Sequence, residues 1–234
     1  MKKLSFILIL TLGIITSSCL DLVEEITLNR DGSGSYSMVI DMSEMMSMME
    51  GLMSSEENNS TDMVGTMDSS MLEVAETLRG INGISNVAHK TENYKFKISY
   101  DFANIDALNE ASQNNALSSG GMGQGEMMDG MMPTSPAYEW TAKTFERIDA
   151  PMSDLFNQAS GDDEEMAQAM EMAKMFMGSA SFKSIYHFPG KVKKVENDDA
   201  RISADKKTTT LEVKLLDIME GNASLGNKIY YKKK

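Results

Sequence analysis

The chain has 234 residues, with 35 acids against 22 basic residues, 23 methionines and one cysteine. A formal charge of −13 repels nucleic acid and anionic headgroups alike, so neither is a partner that charge alone would bring. With one cysteine there is no internal disulfide to lean on, so packing must hold a fold whose length suits one domain with a long insertion.

The first 19 residues, MKKLSFILILTLGIITSSC, begin with the positive pair Lys2 and Lys3. An apolar run from Leu4 to Ile15 follows, too short to act as a stop-transfer helix, and Thr16, Ser17 and Ser18 lead into Cys19. This is the layout of a secretory signal. It resembles the lipobox of bacterial lipoproteins, in which the cysteine thiol accepts a diacylglycerol before cleavage. Thr16 stands where that family usually has Leu. An ordinary signal peptide or an anchor helix with Cys19 as bystander is the plainer alternative, but a lone cysteine at the cleavage position favours lipidation. Residues 1–18 are then a signal peptide, Cys19 carries the lipid, and 19–234 form the envelope domain. No later stretch is apolar and long enough to cross a bilayer, whereas two or more acyl chains anchor stably. The expected location is the bacterial cell envelope, the outer membrane ahead of the inner. Leu20–Glu25 is not a clean charged run, so surface export stays undecided.

Leu20, Leu22, Ile26 and Leu28 keep even spacing, with Glu24 as the one exception. Asn29–Gly34 has turn chemistry, and Tyr36, Met38, Ile40 and Met42 alternate in a second strand. Asp31, Ser33 and Ser35 lack the closing Glu of a calcium loop and read as a plain turn. Met42, Met45, Met46, Met49 and Met53 sit at helical spacing on one face, after which Ser54–Thr61 reads as a polar loop. Ser70 and Glu73 make a capping box for a helix with Met71, Val74, Ala75 and Leu78 on one face, ended by Gly80.

The clearest strand is Tyr94, Phe96, Ile98, Tyr100 and Phe102 alternating with polar residues, paired with Ile84–His89 through Lys90–Asn93. Asn104 caps a short helix with Ile105, Leu108 and Ala111. Leu117–Ser135 is a Gly-, Ser- and Met-rich insertion expected to be flexible. A strand is expected over Tyr138–Ile148, then a helix from the acidic turn at Asp162–Glu165 through Met166, Met170, Ala173 and Met177. Strands over Phe182–Phe188, Val192–Val195, Thr208–Leu216 and Lys228–Tyr231 close the chain. The fold class predicted is α+β: one domain with an antiparallel sheet built from hairpins, several amphipathic Met-rich helices and a flexible insertion near 117–135.

Three blocks, EITLNRDGSGSYSMVIDMS, YKFKISYDFANIDALNEA and FPGKVKKVENDDARISADKKTTTLEVKLLD, resemble the LppM-like and related bacterial lipoproteins across about half of the mature chain. The resemblance implies an α+β domain of antiparallel sheet and helices hung from a lipid anchor. One branch of that family is associated with binding glycolipid. The Met-rich insertions lie outside its pattern, and no catalytic residues come with it.

Motifs for catalysis are missing from the sequence: G-x-S-x-G, H-E-x-x-H and a phosphate loop do not occur, and the histidines His89 and His187 both fall in predicted strands. No enzyme and no cofactor are expected. Methionine thioethers are soft ligands for Cu(I) or Ag(I), and Met45, Met46, Met49, Met172 and Met175 have such spacing. A stripe at helical spacing is more commonly adaptable core or an apolar groove. Met42, Met45, Met46, Met49 and Met53 are therefore taken first as an apolar groove, and metal handling as the alternative. The function expected is a membrane-anchored, non-catalytic binding or structural module, with the membrane as partner through its anchor and a lipid or protein as a further one.

Overall fold

The computed structural model describes residues 20–52, 59–114, 135–149 and 178–232. The first strands are β1 (Asp21–Leu28) and β2 (Gly34–Asp41), followed by helices α1 (Ser43–Leu52) and α2 (Asn59–Arg79). Next come β3 (Ile84–Glu92), β4 (Lys95–Phe102), α3 (Ile105–Gln113), β5 (Ala137–Trp140) and β6 (Thr144–Ile148). The chain continues with β7 (Ser181–His187), β8 (Val192–Val195), β9 (Arg201–Ile202), β10 (Thr208–Lys214), α4 (Leu215–Met219) and β11 (Asn227–Tyr231). Seven strands form one sheet in the order β3-β4-β2-β1-β7-β10-β9, and four form a second in the order β5-β6-β11-β8.

Alternation makes the large sheet one-sided. Leu22, Ile26 and Leu28 of β1, Tyr36, Met38 and Ile40 of β2, and Phe96, Ile98, Tyr100 and Phe102 of β4 all point to the buried face. Register keeps them together: Met38 is opposite Ile98, and Tyr36 opposite Tyr100, with their rings stacked at 4.8 Å. Phe182, Tyr186, Leu211 and Val213 extend the same buried layer across β7 and β10. Helix α2 covers the β3–β4 end with Met67, Met71, Val74, Ala75 and Leu78. Over the β7 side the small sheet supplies Phe145, Ile229 and Tyr231. Phe145 meets Tyr186 edge-on at 5.2 Å, and Tyr231 lies 5.0 Å from Phe188.

The β1–β2 turn uses both freedoms of glycine. Gly32 takes φ +89, and a Cβ on Gly34 would fall 2.0 Å from the Thr27 carbonyl. Asp31 accepts from the Ser33 hydroxyl at 2.7 Å and its amide at 3.1 Å, which makes this stretch the plain turn expected. Asn104 caps α3 by accepting from the Ala107 amide at 2.9 Å.

The predicted fold class needs correction. The described residues are mostly β, in two sheets, with four helices; this is not an α+β fold with several Met-rich helices on a hairpin-built antiparallel sheet. The large sheet is mixed, because β1 pairs in parallel with β7. Parallel neighbours need a crossover, here one that leaves the first hairpin and returns far along the chain, and local periodicity carries no sign of it. The single strand expected over Tyr138–Ile148 is two strands, β5 and β6, paired Trp140 to Phe145 around a turn. Helix α2 starts before Ser70, whose hydroxyl bonds the Thr66 carbonyl at 3.0 Å instead of capping an end. Tyr94 is not a strand residue: Asn93 (φ 51) and Tyr94 (φ 60) form the two-residue turn between β3 and β4. The insertion expected near 117–135 is outside the described residues but for Ser135, and the helix expected over 162–177 is outside them altogether.

Ile98 is fully buried whereas Lys97 beside it is exposed. Ile98→Asp should cost about 3–5 kcal/mol or prevent folding, because it buries an unpaired charge, while Lys97→Asp should stay within about 0.5 kcal/mol. Urea melts of the two variants check this, and equal tolerance would contradict the assignment of faces.

Candidate functional site

One residue on the buried face of β1 breaks its apolar pattern. Glu24 is 1 % exposed and lies between Leu22 and Ile26, opposite Met38 of β2 and Ser184 of β7. A carboxylate there is tolerable only with a countercharge and hydrogen-bond donors. Both come from the small sheet. Arg147 of β6, itself 2 % exposed, sets its Nη1 on Glu24 Oε2, and the Tyr138 hydroxyl of β5 donates to Glu24 Oε1.

The guanidinium has further contacts. Its Nε donates to Asp149 Oδ1 at 2.8 Å, its Nη1 reaches the Tyr186 hydroxyl at 3.5 Å, and its Cζ lies 5.2 Å from the Phe182 ring centroid. Asp149 Oδ2 is buried without a hydrogen-bond partner among the described residues. Tyr138 is held from behind by Asn109 of α3, whose side chain accepts from the Tyr138 amide at 2.7 Å and donates to its carbonyl at 2.9 Å. The α3 amide thereby replaces a missing strand neighbour at the edge of β5. Burial pushes the Tyr138 and Tyr186 phenols above their usual range, which keeps Tyr138 protonated and able to donate. Glu24, Arg147 and their tyrosines form an enclosed network whose members satisfy one another, suited to locking two sheets together.

The residues singled out from sequence are placed differently. Met42 and Met46 are core residues at 2 % and 1 % exposure, and Met45 is half-buried against the same core. Cys19, Met53, Met172 and Met175 lie outside the described residues, as does the side chain of Met49. His187 is a cross-strand residue between Glu25 (2.8 Å) and Thr208 (3.0 Å). Among the described residues no group of three His, Cys, Asp or Glu is close enough to hold a metal, and no helix is long and apolar enough to cross a membrane. The opposite face of the large sheet carries an open groove of about 720 Å³ lined by residues that include Asp21, Lys183, Arg201, Glu212 and Lys214. Lys183 is paired there with Glu212 at 3.0 Å.

In the sequence Glu24 is marked only as an exception to alternation. That exception was the available signal, since a polar residue kept at a core-facing position needs a buried partner. Arg147, Tyr138 and Asp149 had no such mark.

No protein-family model matches the chain, and no curated protein sequence matches it. Among solved structures, the chain is similar to the folded domain of LppM from Mycobacterium tuberculosis, determined by NMR. The identity is 11 %, the TM-score is 0.41, and the match covers 92 % of this chain and 90 % of that one.

Two measurements probe the network. Glu24→Leu or Arg147→Met alone should cost about 3–5 kcal/mol by leaving a buried charge unmatched, and the double variant should cost less than the sum of the two, with Asp149 still left without its guanidinium partner. Additive losses in urea melts would contradict a coupled pair.

The second measurement is an alkaline titration. Burial raises the phenols of Tyr36, Tyr100, Tyr138 and Tyr186 above the ordinary value. In the unfolded chain these phenols ionise near pH 10, so their contribution to stability is intact below that pH and is lost progressively above it. Four of the seven tyrosines should therefore ionise only as the fold melts. Ultraviolet absorbance followed with circular dichroism checks this, and full ionisation of an intact fold would refute it.

Proposed function

We propose that the chain is a bacterial envelope lipoprotein, held on a membrane by acylated Cys19, whose folded domain is a non-catalytic binding or structural module. The observation that carries this reading is the order of segments at the N-terminus. A positive n-region, an apolar run and small residues end at the only cysteine, and β1 starts two residues later at Asp21. A cysteine at that place is where diacylglycerol transfer and cleavage would occur.

Support for a non-catalytic role comes from the chemistry of the buried polar cluster. Its carboxylate and guanidinium are spent on each other, and its phenols are held protonated by burial. A general base needs a free lone pair within reach of a substrate. Glu24, at 1 % exposure, has none to offer. The groove on the outer face is the place where a polar ligand would lodge, bordered by Lys183, Arg201 and Lys214 on one charge and Asp21, Asp199 and Glu212 on the other.

Cys19→Ser should leave a precursor of unprocessed mass that incorporates no labelled palmitate and washes off membranes. Normal processing and retention of that variant would refute lipidation. Native mass spectrometry of the mature domain then separates the module readings. Co-purified lipid or protein supports binding, and stoichiometric Cu(I) would move metal handling to the front.

A further inference from the structure

We infer that the anchored protein seats on the lipid headgroup layer through one end of its large sheet, the rim where β1 begins, with the strands standing up from the bilayer. This inference rests on the proposed lipidation of Cys19. Leu20 is 6 % exposed in the core, and its carbonyl accepts from the Ser181 amide at 2.9 Å, so the residue next to the anchor is fixed in the fold. The tether is then a single residue. Consecutive Cα atoms are about 3.8 Å apart, which leaves the rim almost no distance to stand off.

Register identifies that rim. Asp21 is opposite Asp41 of β2 and Ser181 of β7; Asp41 is opposite Lys95 of β4, Lys95 opposite Glu92 of β3, and Ser181 opposite Lys214 of β10. These six residues form one row, roughly 24 Å wide at the usual strand spacing of about 4.8 Å. Within the row Asp21 of β1 has three residues on one side and two on the other, so the anchor leaves near its centre. A wide edge held at its middle by a one-residue tether resists tipping.

The rim's chemistry suits headgroups better than acyl chains. Asp41 is paired with Lys95 at 2.6 Å, Glu92 with Lys90, and Asp21 accepts from the Ser181 hydroxyl at 2.6 Å. Such matched charges tolerate a zwitterionic layer but would be costly in hydrocarbon. The Asn93–Tyr94 turn and the start of α1 lie beside the row and are tied together: the Met42 amide donates to the Tyr94 carbonyl at 3.0 Å, and the Ser43 hydroxyl to the Asn93 carbonyl at 2.9 Å. Tyr94 sits in that turn, half-buried against the core, so the rim carries a residue type that favours a membrane interface. The opposite end, with the turn at Asn29–Ser33, is roughly 23 Å away along β1.

The test uses full-length protein purified from membranes. Lipidation consumes the Cys19 thiol, so Glu92→Cys, Glu44→Cys and Arg30→Cys each leave one thiol for an environment-sensitive dye. All three sites are exposed; the first two are at the rim and Arg30 is at the far end. In zwitterionic phosphatidylethanolamine–phosphatidylcholine vesicles carrying a headgroup nitroxide lipid, the dyes at 92 and 44 should be quenched several-fold more than the dye at 30. Protein that floats with the vesicles and carries the mass of its lipid, yet shows equal quenching at both ends or stronger quenching at 30, overturns the seating and leaves the anchor standing. Protein with no lipid mass that fails to float refutes the anchor, and the seating with it.

Discussion

A charged carboxylate in an apolar layer is stable only while its countercharge stays in place, and the two sheets meet under that constraint. Glu24 belongs to the middle strand of the large sheet, and its partners Arg147 and Tyr138 belong to the small one. Sliding one sheet over the other would strand two charges in low dielectric, whereas an apolar contact would tolerate a shift. The pair thus fixes the relative position of the sheets, and the surrounding rings of Phe145, Phe182 and Tyr186 pack around a point already set.

The same strand gathers the other long-range features. β1 joins β2 by a local hairpin and β7 by a parallel crossover, so the early and late parts of the chain close on it from either side. Its first residue follows the proposed lipid anchor almost at once, and its fourth carries the buried carboxylate. Support for anchoring and support for sheet packing therefore run through eight residues. Asn109 extends the network outward, since its clamp on the Tyr138 backbone ties α3 to the edge of the small sheet.

Much of the local structure was legible. Alternation in Phe96–Phe102, the Asn104 cap and the turn at Asn29–Gly34 are short-range effects of side-chain period, capping and glycine freedom, and each is found where those effects put it. Local pattern misleads where a long-range contact overrides a local preference. Tyr94 continued an alternating run, but the turn between β3 and β4 needed two left-handed residues, and its carbonyl is held by the Met42 amide. Ser54–Thr61 is polar and reads as loop, yet α2 begins at Asn59, in a helix that Met67 packs into the core further along. Met42 and Met46 have the spacing of an apolar stripe, and nothing in spacing distinguishes a groove from a core.

The sequence by itself determined the strand faces, the turns, the cap of α3 and the signal-like N-terminus ending at Cys19, because each depends on residues within a few positions of one another. Even the flaw in the first strand was visible as Glu24 among leucines and isoleucines. Tertiary structure alone decided that β1 lies parallel to β7, that a second sheet exists, and that Arg147 answers Glu24. Those outcomes join residues from tens to more than a hundred positions apart, where the chain's periodicity carries no information and only the cost of leaving a charge or a sheet face unmatched selects the partner.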